Sequence, residues 1–347
     1  MLNRAKSKTD TATFLRLAEK IPVIDVRSPS EFNVGHIPGS HNIPLFDDSE
    51  REKVGIKYKK VGRTAAILEG LRLSGPLVHT KLEQALKISR DGRLLLYCWR
   101  GGMRSEAMDW LFSLGDIETD ILEGGYKSYR HFVLDNLSVN RKMIVLGGLT
   151  GSGKTHILKY IKESGHKVID LEGLANHKGS AFGSIGQLPQ PSSEHFANML
   201  FDEWKQVDLS QPVWIEDESR NIGNVFMPEQ FYLNLQKNPA IIIRMDIKTR
   251  LPRLFEEYSC FSNDELIASV MKISKRLGGD RTRETIEAIK CSDIERAIEL
   301  TLQYYDKAYL YGLKRREGKN TIYIDSDTDS IEINAERIIE KAKYITS

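Results

Sequence analysis

Short apolar runs alternate with amphipathic stretches along the chain. In the first third, residues 21–26, 94–97 and 119–122 are apolar runs with the length of buried strands, whereas residues 81–88 and 105–114 carry apolar side chains at helical spacing. Strands that alternate with helices favour a parallel sheet covered by helices on both faces. The pattern therefore predicts an α/β domain in this part of the chain.

A second α/β series follows a more polar stretch. Its apolar runs indicate buried strands at residues 143–146, 213–216, 240–245 and 321–324. Residues 264–312 are rich in helix formers and charge, which predicts a helical subdomain. We place the boundary near Asn136, which gives an N-terminal domain at 1–135 and a C-terminal domain at 136–347.

Composition and charge narrow the classes of protein that this chain can be. Its 347 residues, 40% hydrophobic and 28% charged, suit about two globular domains and exclude a disordered protein. Because 50 Lys and Arg nearly balance 48 Asp and Glu, a nucleic acid would have to bind a local basic face. Three widely spaced cysteines support no disulfide framework, and no run is apolar enough for a signal peptide or a membrane span. We expect a cytoplasmic protein without a membrane partner.

The segment GLTGSGKT at residues 148–155 fits the phosphate-binding P-loop pattern and lies between a predicted strand and a predicted helix. Its glycines let backbone N–H groups curl around a phosphate, and the helix N-terminus adds a favourable dipole. The candidate phosphate-binding residues are Gly148, Gly151, Ser152, Gly153, Lys154 and Thr155. The pattern suits an NTP hydrolase, a kinase or an enzyme that binds another diphosphate.

Charged residues elsewhere in the C-terminal domain are candidates to assist this loop. P-loop proteins hold a metal ion at the carboxyl end of a neighbouring strand, where this chain carries Glu216, Asp217, Glu218 and Arg220. The sequence does not choose among the three carboxylates, and a solvated acidic loop is the alternative. Asp217 together with Thr155 is the magnesium candidate. Further candidates for contact with phosphates or substrate are His177, Arg276, Arg281 and Arg283.

Cys98 begins the segment CWRGGMRS between a predicted strand and a predicted helix. It would lie at the carboxyl end of a parallel strand, where α/β sheets place their ligands. Gly101 and Gly102 let the loop curl so that backbone N–H groups face the sulfur. Arg100, Arg104 and the helix N-terminus add positive potential, so we expect a lowered thiol pKa and a nucleophilic thiolate. No second cysteine lies nearby, which favours group transfer over disulfide reduction.

Residues 51–72 carry a local excess of positive charge, with seven basic residues against two acidic ones. Basic residues interleaved with an aromatic side chain suit a surface that follows an RNA backbone and adds a stacking contact. An ordinary solvated helix face is the alternative. The candidate RNA-binding residues are Lys57, Tyr58, Lys59, Lys60 and Arg63.

Several motifs resemble known families. DVRSPSEF at residues 25–32, GHIPGS at 35–40 and the cysteine loop are similar to the signature of rhodanese domains, which move sulfur through a cysteine persulfide. The combination of CWRGGMRS, GGYKSYR and GLTGSGKT is more specific and resembles the bacterial tRNA 2-selenouridine synthases. The blocks at 170–183, 214–223 and 304–309 are also similar to that family, so the likeness covers most of the chain.

This resemblance implies a rhodanese-like domain fused to a P-loop NTPase-like domain. It implies a two-step reaction at the wobble uridine of tRNAs for lysine, glutamate and glutamine. Geranyl diphosphate first alkylates 2-thiouridine, and selenium from selenophosphate then replaces the S-geranyl group to give 2-selenouridine. It implies catalytic roles for Cys98, Arg100 and Arg104 and a diphosphate at the P-loop, with no tightly bound cofactor and with Mg²⁺ as an aid.

Two other functions remain open from the residues alone. A cytosolic rhodanese-type sulfurtransferase coupled to an ATPase or kinase domain predicts nucleotide turnover, but gives the basic segment 51–72 no role. A regulatory module that binds two ligands without chemistry is disfavoured, because both Cys98 and Lys154 are intact.

Overall fold

The computed structural model describes residues 8–180, 182–208, 210–314, 316 and 321–346. The chain divides into two compact units, Met1–Asn136 and Leu137–Ser347, which we call the N-terminal unit and the C-terminal unit. Each unit contains a five-stranded sheet whose strand pairs are all parallel. The predicted α/β class with two parallel sheets is confirmed.

The N-terminal unit alternates strands and helices along the chain. Its strands are β1 (Lys8–Thr9), β2 (Val23–Asp25), β3 (His41–Asn42), β4 (Arg93–Tyr97) and β5 (Glu118–Leu122). Its helices are α1 (Thr11–Ala18), α2 (Pro29–Val34), α3 (Asp48–Lys60), α4 (Arg63–Ser74), α5 (Val78–Ile88), α6 (Met103–Ser113) and α7 (Gly125–Ser138), with a 3₁₀ turn at Gly75–Leu77.

The sheet of the N-terminal unit has the strand order β1-β5-β4-β2-β3, so β4 is its middle strand. Leu94, Leu95 and Leu96 of β4 are fully buried, since helices cover both faces of the strand. None of the 13 residues of helix α3 is buried. The core therefore fixes the strand that leads to Cys98, whereas α3 lies at the surface.

The C-terminal unit repeats this alternation and adds a helical region. Its strands are β6 (Met143–Gly148), β7 (Val168–Ile169), β8 (Val213–Glu216), β9 (Asn221–Ile222), β10 (Val225–Phe226), β11 (Ala240–Met245) and β12 (Thr321–Ser326). Its helices are α8 (Lys154–Glu163), α9 (Leu171–Ala175), α10 (Ser193–Trp204), α11 (Glu229–Lys237), α12 (Ile247–Tyr258), α13 (Asn263–Leu277), α14 (Gly279–Lys290), α15 (Ile294–Lys314) and α16 (Ile331–Thr346).

The sheet of the C-terminal unit has the order β12-β11-β6-β8-β7, which again places the strand before a glycine-rich loop, β6, in the middle. One apolar cluster packs this sheet against α8 and α16. A second cluster joins α12 to α15 with Phe182 and Ile185, and these helices span the predicted helical subdomain. In the part of the chain that the structure describes, no helix has the length and apolarity needed to cross a membrane.

Candidate active sites of the two units

Cys98 lies directly after β4, and α6 begins five residues later at Met103. The thiol is reduced and only 4% exposed. Because β4 is the middle strand, the sulfur lies at the carboxyl end of the sheet and next to the N-terminus of α6. This is the position that the sequence predicts for a nucleophile.

The surroundings of Cys98 lower the pKa of its thiol. Burial alone would raise it, but hydrogen bonds from the Ser105 side chain and from the backbone N–H groups of Arg100 and Ser105, together with the charge of Arg104, outweigh burial. The Ser105 hydroxyl is buried and meets no other hydrogen-bond partner among the described residues. These contacts shift the thiol toward its thiolate form, and Arg100 contributes through its backbone while its side chain is exposed.

Two glycines lock the cysteine loop against the start of α7. Gly101 and Gly125 both have positive φ, at 62°, and a Cβ on either would collide with the backbone of the other segment. The N–H of Tyr126 donates to the Cys98 carbonyl at 2.8 Å, and the N–H of Lys127 donates to the Trp99 carbonyl at 3.1 Å. The GGYKSYR motif thus holds the loop shape that directs N–H groups at the sulfur.

Arg104 is held by an acidic partner beside the cysteine loop. Its guanidinium donates to both carboxylate oxygens of Glu31, at 2.6 and 3.3 Å, and Glu31 also lies 3.7 Å from Arg51. Glu31 belongs to DVRSPSEF, in which Arg27 forms a buried ion pair with Asp25 at 2.6 Å. This motif therefore positions the cation that lowers the pKa of Cys98.

A cavity of about 800 Å³ opens beside Cys98. It is bounded by α3, α4, the cysteine loop and the first turn of α6, and its walls are largely apolar. The RNA-binding candidates belong to the same helix pair: Lys57, Tyr58, Lys59 and Lys60 end α3, Arg63 begins α4, and all five are exposed. Tyr58 and Lys59 also line the cavity, and Arg63 contacts the sulfur of Met103 at 3.7 Å.

The P-loop connects β6 to α8 and has the conformation that its glycines predict. Gly148, Gly151 and Gly153 have φ values of 159°, 83° and 79°, of which the last two lie well inside the left-handed region. The Ser152 hydroxyl is buried and has no hydrogen-bond partner among the described residues. The Lys154 ammonium donates to the Gly148 carbonyl at 2.8 Å, so it reaches back across the loop.

Three carboxylates converge near the P-loop threonine. The Thr155 hydroxyl donates to Glu172 at 3.1 Å and to Glu216 at 3.3 Å, and the Glu172 N–H donates to Glu216 at 3.1 Å. Burial and mutual repulsion raise the pKa of Glu216 well above its usual range, and burial with repulsion by Glu172 raises the pKa of Glu218 to about 8. Burial also raises the pKa of Glu172. Glu218 therefore retains its proton near neutral pH.

The Thr155 hydroxyl contacts Glu172 and Glu216, and Asp217 of the predicted magnesium pair has other partners. Successive residues of β8 and its extension point to opposite sides. Asp217 instead accepts the Tyr309 hydroxyl and forms an ion pair with Arg316, both at 3.1 Å. It therefore anchors the end of α15 to the sheet.

Among the described residues, no group of three or more His, Cys, Asp or Glu side chains is arranged to hold a metal ion. Thr155 and Glu216 do provide two neighbouring oxygen donors, the kind that Mg²⁺ prefers. A magnesium ion here would take its other ligands from a bound diphosphate and water.

Two arginines of α12 hold the P-loop, and the sequence reasoning missed both. Arg250 is buried, donates to the Thr150 carbonyl at 2.8 Å and pairs with Asp306 at 2.6 Å. Arg253 donates to the Gly151 carbonyl at 3.3 Å. In α15, Tyr309 accepts the Gly148 N–H at 2.8 Å, which explains the YYDKAY block. Asp306 within that block is the sequence signal that could have revealed Arg250, because a single acidic residue there can pair with a buried cation.

The other residues that the sequence predicts for the P-loop site lie at the surface or in the segment after β7. Arg276 is exposed in the last turn of α13, Arg281 and Arg283 are exposed on α14, and Arg220 pairs with Glu229 at the surface. His177 is buried and accepts the Gly179 N–H through Nδ1 at 3.2 Å, and burial lowers its pKa. The segment after β7 places the backbone of Gly179 against the carboxylates of Glu172 and Glu218. Ala181 of the same block lies outside the described residues.

The two loops and their sheets define a rhodanese-like unit and a P-loop unit in one chain. The rhodanese-like domain family matches residues 10–131, and the family described as the tRNA 2-selenouridine synthase AAA domain matches residues 141–338.

Full-length relatives carry the same name. The tRNA 2-selenouridine synthase of Nitrosomonas europaea is 37% identical, over 88% of this chain and 92% of its own. Those of Nitrosomonas eutropha and Bdellovibrio bacteriovorus are 34% and 35% identical, over 91% and 86% of this chain and 94% and 90% of their own. The chain belongs to the tRNA 2-selenouridine synthase family of enzymes.

Proposed function

We propose that this enzyme converts the wobble 2-thiouridine of the tRNAs for lysine, glutamate and glutamine into 2-selenouridine in the cytoplasm, through an S-geranyl intermediate. The C-terminal unit carries out the geranylation, and the N-terminal unit carries out the exchange of sulfur for selenium. The observation that carries this proposal is the pairing of a thiolate-favouring cysteine loop with a P-loop that has an unpartnered buried hydroxyl.

In the first step, the sulfur of 2-thiouridine attacks C1 of geranyl diphosphate. The C–S bond forms, the C–O bond breaks, diphosphate leaves, and the N3 proton of the base passes to water. The backbone N–H groups of the P-loop, the Ser152 hydroxyl and Lys154 suit the leaving diphosphate, because its negative charge grows as the C–O bond breaks. Magnesium at Thr155 and Glu216 would add positive charge there.

In the second step, the Cys98 thiolate attacks C2 of the S-geranylated base. The C2–S bond to the geranyl sulfur breaks, geranylthiolate leaves and takes a proton from water to give geranylthiol, and C2 is bonded to Sγ. The selenium of selenophosphate then attacks C2 and releases the Cys98 thiolate, after which water cleaves the P–Se bond to give phosphate. The N–H groups of the cysteine loop and Arg104 suit both the thiolate and the phosphate of this donor. No oxidant or reductant is needed.

Binding of tRNA is proposed for the basic end of α3 and the start of α4. Lys57, Lys60 and Arg63 are exposed there and lie on the helix pair that borders the cavity beside Cys98. Contacts to the RNA backbone at this place would bring the anticodon loop to the cysteine, and they would weaken as salt concentration rises.

The experiment is nucleoside mass spectrometry after incubation of the protein with 2-thiouridine-containing tRNA and geranyl diphosphate, with and without selenophosphate. We expect S-geranyl-2-thiouridine without selenophosphate and 2-selenouridine with it. An unchanged nucleoside accompanied by ATP hydrolysis or by sulfur transfer from thiosulfate would reject the proposal in favour of a sulfurtransferase.

A trapping experiment tests the role of Cys98 directly. S-geranylated tRNA without selenophosphate is expected to form a protein–tRNA adduct on a denaturing gel and to release one geranylthiol per adduct. If geranylthiol is released only when selenophosphate is present, and no adduct forms, selenium attacks C2 directly.

A further inference from the structure

Gly148, at the junction of β6 and the P-loop, is held through both of its backbone polar groups. Its N–H donates to the Tyr309 hydroxyl at 2.8 Å, and its carbonyl accepts from the Lys154 ammonium at 2.8 Å. Lys154 is a cation on a flexible stem, so a bound anion attracts it, whereas Tyr309 is an uncharged side chain of α15. The two contacts should therefore respond differently when a phosphate group binds.

Asp217 fixes the direction in which the Tyr309 hydroxyl points. The hydroxyl donates to one carboxylate oxygen of Asp217 at 3.1 Å, and Arg316 holds the other oxygen at 3.1 Å. Because a carboxylate only accepts, the hydroxyl hydrogen faces Asp217 and a lone pair faces Gly148. Burial and the charge of Asp217 raise the pKa of Tyr309 well above its usual range, so this hydrogen stays in place. The phenol oxygen is therefore a fixed acceptor for one N–H of the loop.

The close approach of Tyr309 requires a glycine at position 147. A Cβ on Gly147 would lie 2.4 Å from the Tyr309 hydroxyl and from the Ile242 side chain, and 3.1 Å from the Asp217 carboxylate. The P-loop pattern begins one residue later, at Gly148, so the pattern does not require this glycine. The end of β6 is therefore open on the side from which the hydroxyl reaches the loop.

We propose that Tyr309 is a positioning residue for the P-loop, which keeps Gly148 in place when a diphosphate draws Lys154 off the Gly148 carbonyl. The inference rests on the proposed function for this diphosphate. In the free protein both contacts hold Gly148, and in the complex only the hydroxyl remains of the two. Tyr309 therefore contributes more to the complex than to the free protein, and such a difference changes the affinity for the ligand.

Two tyrosines of α15 provide the variant and its control. Tyr309→Phe removes the hydroxyl and keeps the ring, whereas Tyr311→Phe does the same at a side chain that is 69% exposed. In isothermal titration of the full-length protein with inorganic diphosphate, Tyr309→Phe should bind about three- to ten-fold more weakly, because a backbone N–H loses its partner in the complex. Tyr311→Phe should bind as the wild type does. Equal affinities of the two variants would overturn the inference.

A double-mutant cycle with Lys154 separates this role from a merely structural one. In Lys154→Ala no ammonium is released from the Gly148 carbonyl, so the hydroxyl holds Gly148 equally with and without the ligand. Adding Tyr309→Phe to Lys154→Ala should therefore leave the diphosphate affinity unchanged. An equal loss of affinity in both backgrounds would show that Tyr309 only supports the loop, and would overturn the inference.

If Tyr309→Phe fails to fold in a thermal melt, Asp217→Asn replaces it. The asparagine must offer its oxygen to Arg316, so its NH₂ group faces the Tyr309 hydroxyl and no longer fixes the direction of the lone pair. Its diphosphate affinity should fall in the wild-type background and stay unchanged in the Lys154→Ala background. The opposite pattern would reject the positioning role.

The same proteins are assayed for alkylation of 2-thiouridine-containing tRNA by geranyl diphosphate. The expected affinities for inorganic diphosphate in a protein that alkylates no tRNA would uphold the inference and reject the proposed function. Alkylation by the wild type, with equal affinities of Tyr309→Phe and Tyr311→Phe, would uphold the function and reject the inference. A wild type that binds no diphosphate at millimolar concentration would reject both.

Discussion

The cysteine loop at residues 98–102 and the P-loop at residues 148–153 share a design. Each follows the middle strand of a parallel sheet, each contains glycines at positive φ, and each leads into a helix N-terminus. Their electrostatic outcomes are opposite. The pKa of Cys98 is lowered, whereas the pKa values of Glu172, Glu216 and Glu218 next to the P-loop are raised.

The difference shows that the charged and hydrogen-bonding groups around an ionisable side chain decide its pKa. The glycine-rich loop next to it does not decide the pKa by itself. Cys98 is surrounded by hydrogen-bond donors and lies near Arg104, so the pKa of its thiol is lowered despite burial. In the P-loop unit, burial and the mutual repulsion of Glu172, Glu216 and Glu218 outweigh the opposing charge of Lys154, so the pKa values of these carboxyls are raised. The cysteine loop therefore favours a nucleophilic anion, whereas the carboxyls beside the P-loop favour the arrival of a proton or a cation.

The largest expected effect comes from Cys98→Ser. A serine hydroxyl does not ionise near neutral pH, so this variant should form no 2-selenouridine and should accumulate S-geranyl-2-thiouridine at the wild-type rate, as measured by nucleoside mass spectrometry. Cys260→Ser, at an exposed thiol, is the control and should behave as wild type. Selenation by Cys98→Ser would remove the cysteine from the mechanism.

Glu218→Gln tests the raised pKa values by way of stability. The pKa of Glu218 is about 8 in the folded state, whereas its usual value is 4.5. The contribution of Glu218 to the free energy of unfolding is therefore fully present below about pH 4.5 and is lost as the pH rises through about 8. That loss has an upper bound of about 5 kcal/mol.

Glutamine stays neutral, so the variant should lose less unfolding free energy between pH 5 and pH 8.5 in urea titrations than the wild type. Glu229→Gln, at the surface, is the control. If the unfolding free energy of the Glu218 variant had the same pH dependence as that of the wild type, the retained proton would belong to another of the three carboxyls.

Lys154→Ala should weaken binding of geranyl diphosphate by roughly 10- to 150-fold, since a charge-assisted contact contributes about 1.5–3 kcal/mol. Isothermal titration with geranyl diphosphate measures this. Lys159→Ala, on the exposed side of the same helix, should bind as wild type. The reactivity of Cys98 toward iodoacetamide should be unchanged in both variants, and unchanged affinity in Lys154→Ala would remove the P-loop assignment.

The smallest effect concerns the charge beside Cys98. Arg104→Gln should move the midpoint of the alkylation rate of Cys98 to higher pH by less than about one unit, because the charge of Arg104 contributes less to the lowered pKa than the hydrogen bonds of Ser105 and Arg100 do. Glu31→Gln keeps the cation and removes its partner, so it should move the midpoint downward or leave it. A downward shift in Arg104→Gln would contradict this account.

Much of the fold follows from the apolar pattern. The predicted strands 213–216 and 240–245 coincide with β8 and β11, because both are largely apolar segments in a sheet covered on both sides. The two-residue strands β1, β3 and β7 were not predicted, since so short a segment has no pattern of its own. Helix α3 shows no apolar stripe because none of its described residues is buried.

Only those parts of each candidate site that form a continuous motif could be predicted from the sequence. Both loops are motifs, so Cys98 and the P-loop residues could be named from the sequence. Arg250 and Tyr309 reach the P-loop from helices far along the chain, and their contacts exist only once the helical region packs. Glu216 and Asp217 are neighbours in the sequence whose different directions only the structure separates.

The order of the chain sets the time at which each loop is completed on the ribosome. The hydroxyl that holds the N–H of Gly148 belongs to a tyrosine 161 residues later, so most of the C-terminal unit must emerge before the P-loop is anchored. The cysteine loop needs only the GG pair that follows β5. A nascent or truncated chain would therefore carry a completed nucleophile loop well before it can hold a diphosphate.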